Sequence, residues 1–526
     1  MEILRIRDTN TLKPLHAVAI ALVIGTLGGV FLLLSAQESL VPIDGAIPWH
    51  AESPLRAVVR LLSLNYAYPT IYQGDLKNFV LGVGAGLLSL SIGIALLAGR
   101  REDETVDSSR PDVAPTGKKH IAPLFAAQAM FGLYVLWSFA SARWSTSAGI
   151  AIGGSALLAI HLIWAFAISQ SLSIRAARMA TLALVGLTGI TAIIALWYFY
   201  GRNPNLRAKF PFGNPTFLAG CFIPGIVVGF YAGIDAFRKS LEPKNLILGI
   251  AMICSAALST WAFWLADSRG PMAGLAFACL ATIFFALRGK WRILPAAAGA
   301  ILAVAGVIAI LQMANAPSET GRDSTLRSRF YTFSYAWQMF TERPLVGHGQ
   351  GGFVLNGDGY AINDVLEDPE PFRSRLAHAH NEWLEVLANL GITGLLLVIS
   401  AILMTIRAGW DACRSDKAEL LVPLLGALVG MSIDACASVG LRVSAVGAVY
   451  FLVIGLIWAF SASPATNLFE RMMAVRGRQL GSGIAMVIIG MAALVAGFTD
   501  FQAARSGYES YRIMTTEKVD ETVRLA

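Results

Sequence analysis

The stretch LEVLANLGITGLLLVISAILMTI at residues 384–406 decides the fold, and Glu385 is its only charged residue. An apolar run of about 20 residues is long enough to cross the hydrocarbon core of a bilayer as a helix. Twelve further runs of this kind lie at residues 15–36, 79–98, 122–142, 148–170, 178–200, 215–234, 245–266, 271–287, 293–312, 418–438, 443–462 and 482–499. The sequence therefore predicts an all-α, polytopic integral membrane protein with about 12–13 transmembrane helices.

The composition supports a membrane protein and excludes several other classes. Of 526 residues, 56% are hydrophobic and 14% are charged, whereas soluble domains carry about 25% charged residues. These values exclude a disordered chain, a disulfide-rich secreted domain and an ordinary soluble enzyme. The net charge of +7 is too small for this length to indicate a nucleic-acid partner. The five cysteines lie singly in or beside apolar runs, which favours packing over disulfides or metal binding.

The placement of lysine and arginine predicts the orientation of the spans. With the N-terminus in the cytoplasm, every short inner loop carries two or more of these cations, as the positive-inside rule expects. The first apolar run has no small-residue cleavage site after it, so we expect a retained helix and not a signal peptide. The predicted units are an N-terminal bundle of nine spans at 1–312, a large outer loop at 313–383, C-terminal spans at 384–499 and a tail at 500–526.

The loop at 313–383 has about 70 residues, which is too long for a simple connector. Aromatic residues at helical spacing in SRFYTFSYAWQMF (328–340) predict a helix. Proline and glycines in TERPLVGHGQGGF (341–353) end it, and turn-forming residues dominate NGDGYAINDVLEDPEPF (356–372). We therefore expect a small helical cap over the outer face, between spans 9 and 10.

A histidine beside a span and several arginines on the same predicted side are the candidate chemical groups. His380 lies just before the span at 384–406, where a lipid-anchored substrate would present its head group. Imidazole can accept a proton near neutral pH, and guanidinium groups bind phosphate through paired hydrogen bonds. The arginines on this side include Arg269, Arg327, Arg329, Arg373 and Arg375. This combination suits transfer from a diphosphate leaving group, with the arginines stabilising its charge and the histidine deprotonating a hydroxyl.

Three weaker patterns keep more than one interpretation. The loop GRNPNLRAKFPFGN (201–214) places three cations on the outer side, where they would contact either lipid head groups or an anionic substrate. The spacing in His378-x-His380-x-Glu382 differs from the i, i+4 pair of helical zinc sites, so no metal site is predicted. GHGQGGF (347–353) lacks the Gly-Lys-Ser/Thr of a P-loop, so a structural turn is favoured over a phosphate cradle.

One motif resembles a known family. His380-Asn381, the nine residues EWLEVLANL and then Gly391-Ile392-Thr393-Gly394 resemble the signature of bacterial O-antigen ligases. The same superfamily includes polysaccharide polymerases and O-linked oligosaccharyltransferases. DSRG (267–270) looks like the first key arginine of the family, and Arg329 looks like the second. FGNPTFLAG (212–220) and ARWS (142–145) are also similar, so the resemblance covers roughly residues 120–460.

The resemblance implies a membrane glycosyltransferase that moves a glycan from undecaprenyl diphosphate to an acceptor hydroxyl on the periplasmic side of the inner membrane. It implies inversion at the anomeric carbon and no metal or other cofactor. On this pattern His380 is the general base, and Arg269 and Arg329 hold the diphosphate. Expected contributors to substrate binding are Arg207, Asn214, Arg327 as an alternative to Arg329, His378 and Asn381.

Several functional alternatives stay open. A ligase, a polymerase and a protein-glycosylating transferase share the motif and differ in the acceptor, which is a glycolipid such as lipid A-core, a glycan or a protein. We favour a ligase. A transporter of lipid-linked glycan is the alternative from another class, and it would be expected to carry charged or broken helices at mid-membrane. The thirteenth run at 482–499 departs from the twelve spans of usual family members.

Overall fold

The computed structural model describes residues 13–32, 73–98, 118–202, 207–314, 321–367, 378–413, 419–462 and 476–515. Helices dominate this part of the chain, and none of its residues lies in a β-strand. The α-helices are α1 (Lys13–Leu32), α2 (Gln73–Ala98), α3 (Lys118–Ala140), α4 (Ala148–Ser171), α5 (Ile174–Arg202), α6 (Pro215–Lys239), α7 (Pro243–Ala266), α8 (Arg269–Ala286), α9 (Ile293–Ala314), α10 (Gly321–Glu342), α11 (Gly352–Glu367), α12 (Glu382–Ala412), α13 (Leu421–Asp434), α14 (Ser444–Ser461) and α15 (Arg476–Thr515).

The helix pattern confirms the predicted all-α polytopic fold. Within the described ranges, twelve helices are long and apolar enough to cross a membrane, and α13 is a shorter apolar helix. Each of the thirteen predicted runs therefore coincides with a helix. The segments 33–72, between α1 and α2, and 99–117, between α2 and α3, lie outside the described residues.

The bundle has a central helix and a peripheral one. In α14, 94% of the residues of the spanning window are buried, and the helix packs against α4, α12 and α13. In α9 the corresponding share is 6%, so almost the whole helix faces outward. Burial on all sides explains the uniformly apolar sequence of α14, whereas the apolar surface of α9 is suited to contact with lipid.

The additional span, α15, is an integral part of the bundle because it packs closely against α2. Glycines of the two helices face each other in pairs, and a Cβ built on Gly82 would lie 3.1 Å from the Cα of Gly497. A Cβ on Gly490 would lie 2.8 Å from the carbonyl oxygen of Gly86. Small residues of this kind allow close approach of two backbones in a membrane. The helix continues to Thr515, so it includes part of the segment predicted as a tail.

The loop between α9 and α12 folds into two helices that cap one end of the bundle, as expected. We call this the capped end. The first, α10, extends the predicted helix at 328–340 in both directions. The second, α11, occupies part of the segment in which turns were expected. Phe353 and Ala361 of α11 are buried with Tyr335 and Met339 of α10, so packing outweighs the turn propensity of the intervening glycines and asparagine.

The GHGQGG segment is a structural turn that fills a break in α12. At Gly391 the backbone of α12 is not helical, with φ of 67° and ψ of −171°. The N–H groups of His348 and Gly349 donate to the carbonyls of Ala388 and Asn389, at 3.0 and 2.8 Å. These two N–H groups are therefore bonded within the protein and are not available to bind a phosphate, which supports a structural turn.

Candidate active site

A hydrogen bond ties the cap helix α10 to the loop that carries His380. The Thr332 hydroxyl lies 3.0 Å from the carbonyl oxygen of Ala379 and 2.9 Å from that of Arg329. Because Arg329 lies one turn before Thr332, this contact brings its side chain to the His380 loop. The guanidinium is largely buried, and its Nε has no hydrogen-bond partner among the described residues.

His380 occupies an unusual backbone position at the start of α12. Its φ of 55° is in the left-handed region, which a side chain other than glycine adopts at a cost. Asn381 caps α12, because its Oδ1 accepts hydrogen bonds from the N–H groups of Trp383 and Leu384, both at 3.1 Å. His380 therefore lies directly before the cap of α12, and its side chain is exposed.

Arg269 and Arg207 lie on two connected loops at the same end of the bundle. Arg269 is the first residue of α8, and the hydroxyl of the preceding Ser268 lies 2.8 Å from that of Thr216 in α6. Arg207 donates from Nε to the carbonyl of Ala266 at 2.9 Å, and from Nη2 to the next carbonyl along the chain at 2.6 Å. The two arginines are therefore held by the α7–α8 turn, with exposed side chains.

Asp434 connects this turn to the His380 loop. Its buried carboxylate lies at the end of α13, where a Cβ added to Gly270 would be 3.0 Å from Oδ1. The next residue, Ala435, accepts a hydrogen bond from the N–H of Glu382 at 2.9 Å. The start of α8, the end of α13 and the start of α12 are thus joined by direct contacts, and the absence of a side chain at Gly270 permits the approach.

The electrostatics show that the arginines and His380 form one group. Burial and the neighbouring charges of Arg207 and Arg269 lower the pKa of Arg329, while Asp434 opposes this shift. Desolvation and the positive charges of Arg329 and His378 lower the pKa of His380 to about 4. His380 is exposed at the rim of the group, but enough protein surrounds it to disfavour the charged form. The site therefore combines an excess of positive charge with a neutral imidazole at neutral pH.

A second, buried network lies beside the His380 loop. The Nε of Arg442 lies 2.9 Å from Oε1 of Glu382 and 3.3 Å from Oε1 of Glu385. His378 donates from Nδ1 to Oε1 of Glu385 at 3.2 Å, and the N–H of Ala379 donates to Oε2 at 2.9 Å. Burial opposes the charged form of Arg442, but the two carboxylates outweigh it and raise the pKa of the guanidinium.

The structure brings together most of the predicted site residues. His380, Arg269, Arg329 and Arg207 converge at the capped end, and Asn381 lies beside them. Asn214 lies nearby at the start of α6, where its Oδ1 accepts from the N–H of Thr216 at 2.8 Å. Both asparagines therefore have a capping function, and their contact with substrate stays a prediction.

Two groups of predicted residues are placed less completely. Arg327 lies in α10, two residues before Arg329, and only its backbone is described. Arg373 and Arg375 lie outside the described residues. Within the described ranges, His, Cys, Asp and Glu form no cluster of three or more suited to a metal ion.

Sequence analysis did not identify Asp434, Glu385 and Arg442 as members of the site. Asp434 and Glu385 interrupt apolar runs, and Arg442 lies in a short predicted outer loop. Isolated charges in such positions are a signal of function. Their partners, however, come from distant parts of the chain, so their grouping required the structure.

The fold and the site define a class of protein. This is a polytopic membrane protein in which arginines and one histidine converge at one end of a helical bundle. A family model described as O-antigen ligase matches residues 254–399, a range that contains Arg269, Arg329 and His380. The match confirms the predicted resemblance to the O-antigen ligase superfamily and supports a multi-pass bacterial membrane enzyme of glycosyltransferase type. A search of curated proteins finds no match.

Proposed function

We propose that this protein transfers a glycan from undecaprenyl diphosphate to an acceptor hydroxyl at the periplasmic face of the inner membrane. The acceptor that we favour is a glycolipid of the lipid A-core type. The observation that carries the proposal is the convergence of Arg207, Arg269 and Arg329 with the imidazole of His380 at the capped end. The family match to residues 254–399 supports this class of reaction.

The arginines suit a lipid diphosphate. Three guanidinium groups placed near one another repel, and the charges of Arg207 and Arg269 add to burial in lowering the pKa of Arg329. An anion between them removes this repulsion and satisfies the buried Nε of Arg329. The start of α8 adds backbone N–H groups and the positive end of a helix dipole beside Arg269. We therefore assign Arg269 and Arg329 to the diphosphate, with Arg207 as a further contact.

His380 suits the role of general base. The acceptor oxygen attacks the anomeric carbon from the face opposite the diphosphate, and a new C–O bond forms while the bond from that carbon to the phosphate oxygen breaks. The electron pair leaves with undecaprenyl diphosphate, whose added charge the arginines stabilise. The acceptor proton passes to the neutral imidazole of His380. Attack from the opposite face inverts the anomeric configuration.

Donor binding would increase the basicity of His380. In the free protein its pKa is about 4, because of desolvation and the nearby guanidinium of Arg329. The negative charge of a bound diphosphate favours the protonated imidazole and thus raises its pKa. A base is most effective when its pKa is near the working pH. The bound donor would therefore prepare the histidine for proton transfer.

The test is a transfer assay with purified protein, labelled undecaprenyl-diphosphate glycan and three separate acceptors: lipid A-core, a second lipid-linked glycan and an acceptor protein. We expect label on lipid A-core. Label only on the second glycan or the protein would identify a polymerase or an oligosaccharyltransferase and contradict the ligase assignment. Translocation of the donor across a vesicle membrane, without transfer to any acceptor, would reject the enzyme class.

The residue assignments are tested in the same assay. His380→Ala should lower turnover to a small residual rate while undecaprenyl diphosphate still binds, because the base is removed and the arginines stay. Arg343→Ala is a control that removes an exposed cation of the same cap region, and it should retain wild-type turnover. Wild-type turnover in His380→Ala would reject its role. Transfer should also persist in EDTA, because guanidinium groups stabilise the leaving diphosphate.

A further inference from the structure

We propose that Glu385 and Arg442 are positioning residues that hold His380 in the geometry for proton transfer. The proposal rests on the proposed function and deepens it. Neither residue is expected to touch the donor. Both would act through the backbone on the two sides of His380.

Glu385 holds the residues before His380. Its side chain is fully buried, and its two oxygens accept hydrogen bonds from the N–H of Ala379 at 2.9 Å and from Nδ1 of His378 at 3.2 Å. A buried carboxylate cannot exchange these partners for water, so it retains them. The polypeptide immediately before His380 is therefore fixed to the first turns of α12.

Arg442 connects Glu385 to Glu382, the residue that follows the Asn381 cap. Its Nε lies 2.9 Å from Oε1 of Glu382 and 3.3 Å from Oε1 of Glu385, so one guanidinium contacts two carboxylates of the first turn of α12, directly after the His380 loop. Arg442 ends a 3-10 turn (Gly440–Arg442) directly before the central helix α14. The loop is thereby anchored to the core of the bundle.

The backbone of His380 explains why anchoring is needed. Its φ of 55° is unfavourable for a histidine, and such a conformation persists only where the surroundings impose it. Among the described residues, the contacts of Glu385, Arg442 and the Asn381 cap hold the segment around His380, together with the bonds from Thr332 to Ala379 and from Glu382 to Ala435. Loss of the ionic network should allow the loop to relax and displace the imidazole.

The test compares Glu385→Gln and Arg442→Gln with Asp411→Asn. The control changes a buried carboxylate of the same helix α12 that pairs with Arg407 at 3.0 Å but lies at the opposite end. We expect kcat to fall about 10- to 100-fold in the two test variants, because small displacements of a catalytic group have effects of this size. The Kd for undecaprenyl diphosphate should stay within about threefold. Asp411→Asn should retain kcat.

A double variant separates positioning from general structural support. If Glu385 acts through His380, Glu385→Gln should not further lower the residual rate of His380→Ala, measured over long incubations. A further loss, wild-type kcat in Glu385→Gln, or a parallel loss of donor binding would overturn the proposal. These outcomes are distinct from failure of the proposed function, which would appear as wild-type turnover in His380→Ala alone.

Discussion

Gly391→Ala is the substitution whose effect follows most directly from the structure. The φ of 67° and ψ of −171° at Gly391 belong to a backbone region that only glycine adopts readily. An added Cβ would lie 2.4 Å from the carbonyl carbon of Leu345 and 2.6 Å from the nitrogen of Val346. Both are backbone atoms of the segment between α10 and α11, so they cannot move without shifting the cap.

The expected size of the effect combines two costs. The unfavourable backbone region costs about 1–3 kcal/mol, and overlap with packed surroundings costs about 1–3 kcal/mol more. We therefore expect Gly391→Ala to lower the free energy of unfolding by about 2–6 kcal/mol. Transfer should also fall, because a displaced α10 moves Arg329 away from His380.

The assay is unfolding in mixed micelles of SDS and a mild detergent, followed by far-UV circular dichroism. Gly132→Ala in α3 is the matched control, because a Cβ there meets no heavy atom within 4 Å. It should be neutral or stabilise by up to about 1 kcal/mol, since alanine is the better helix former. A change of less than about 0.5 kcal/mol in Gly391→Ala, which is typical of surface substitutions, would refute the description of the α12 break.

Three further predictions concern the site. Arg329→Lys should weaken binding of undecaprenyl diphosphate about tenfold or more in a titration, because the point charge of a lysine cannot replace the paired N–H donors of the planar guanidinium. The control Arg343→Lys should have little effect. In pH profiles, the neutral imidazole of His380 is the active form, so activity is present above its pKa and lost below it. The acid limb of kcat/KM should therefore lie near the free-protein pKa of about 4, while that of kcat should lie at higher pH once donor is bound. Asn381→Ala should destabilise the protein by about 1 kcal/mol in the micelle assay through loss of the α12 cap, while Asn381→Ser should retain most of the stability.

Hydropathy was sufficient to locate the spans, because length and apolar composition are the main requirements of a membrane helix. Boundaries near the site were less predictable. The run at 271–287 suggested that Arg269 precedes its helix, whereas α8 begins at Arg269 itself. A polar residue that caps or begins a helix lowers local hydropathy, so the apolar pattern starts later than the helix does.

The motif around His380 was recognisable, but the physical reason for its glycine and asparagine was not visible in sequence. Asn381 caps α12 through two N–H groups. Gly391 permits the break in α12, whose backbone pairs with the segment 344–349, and these hydrogen bonds join residues 40 or more positions apart. Long-range backbone contacts of this kind leave no local periodicity in the sequence.

The place of Arg329 at the site also depended on tertiary contacts. The contact of Thr332 with Ala379 places the turn of α10 that carries Arg329 beside the His380 loop. Glu385 and Arg442 come from different helical regions, so their pairing became evident only from the packed bundle.

The most direct test of the central claim is a cryo-electron microscopy structure with undecaprenyl diphosphate bound in lipid nanodiscs. We predict diphosphate oxygens within hydrogen-bond distance, about 3 Å, of the guanidinium groups of Arg269 and Arg329, with the imidazole of His380 facing the position of the departing sugar. A diphosphate bound away from both arginines, or at the end of the bundle opposite the cap, would contradict the account.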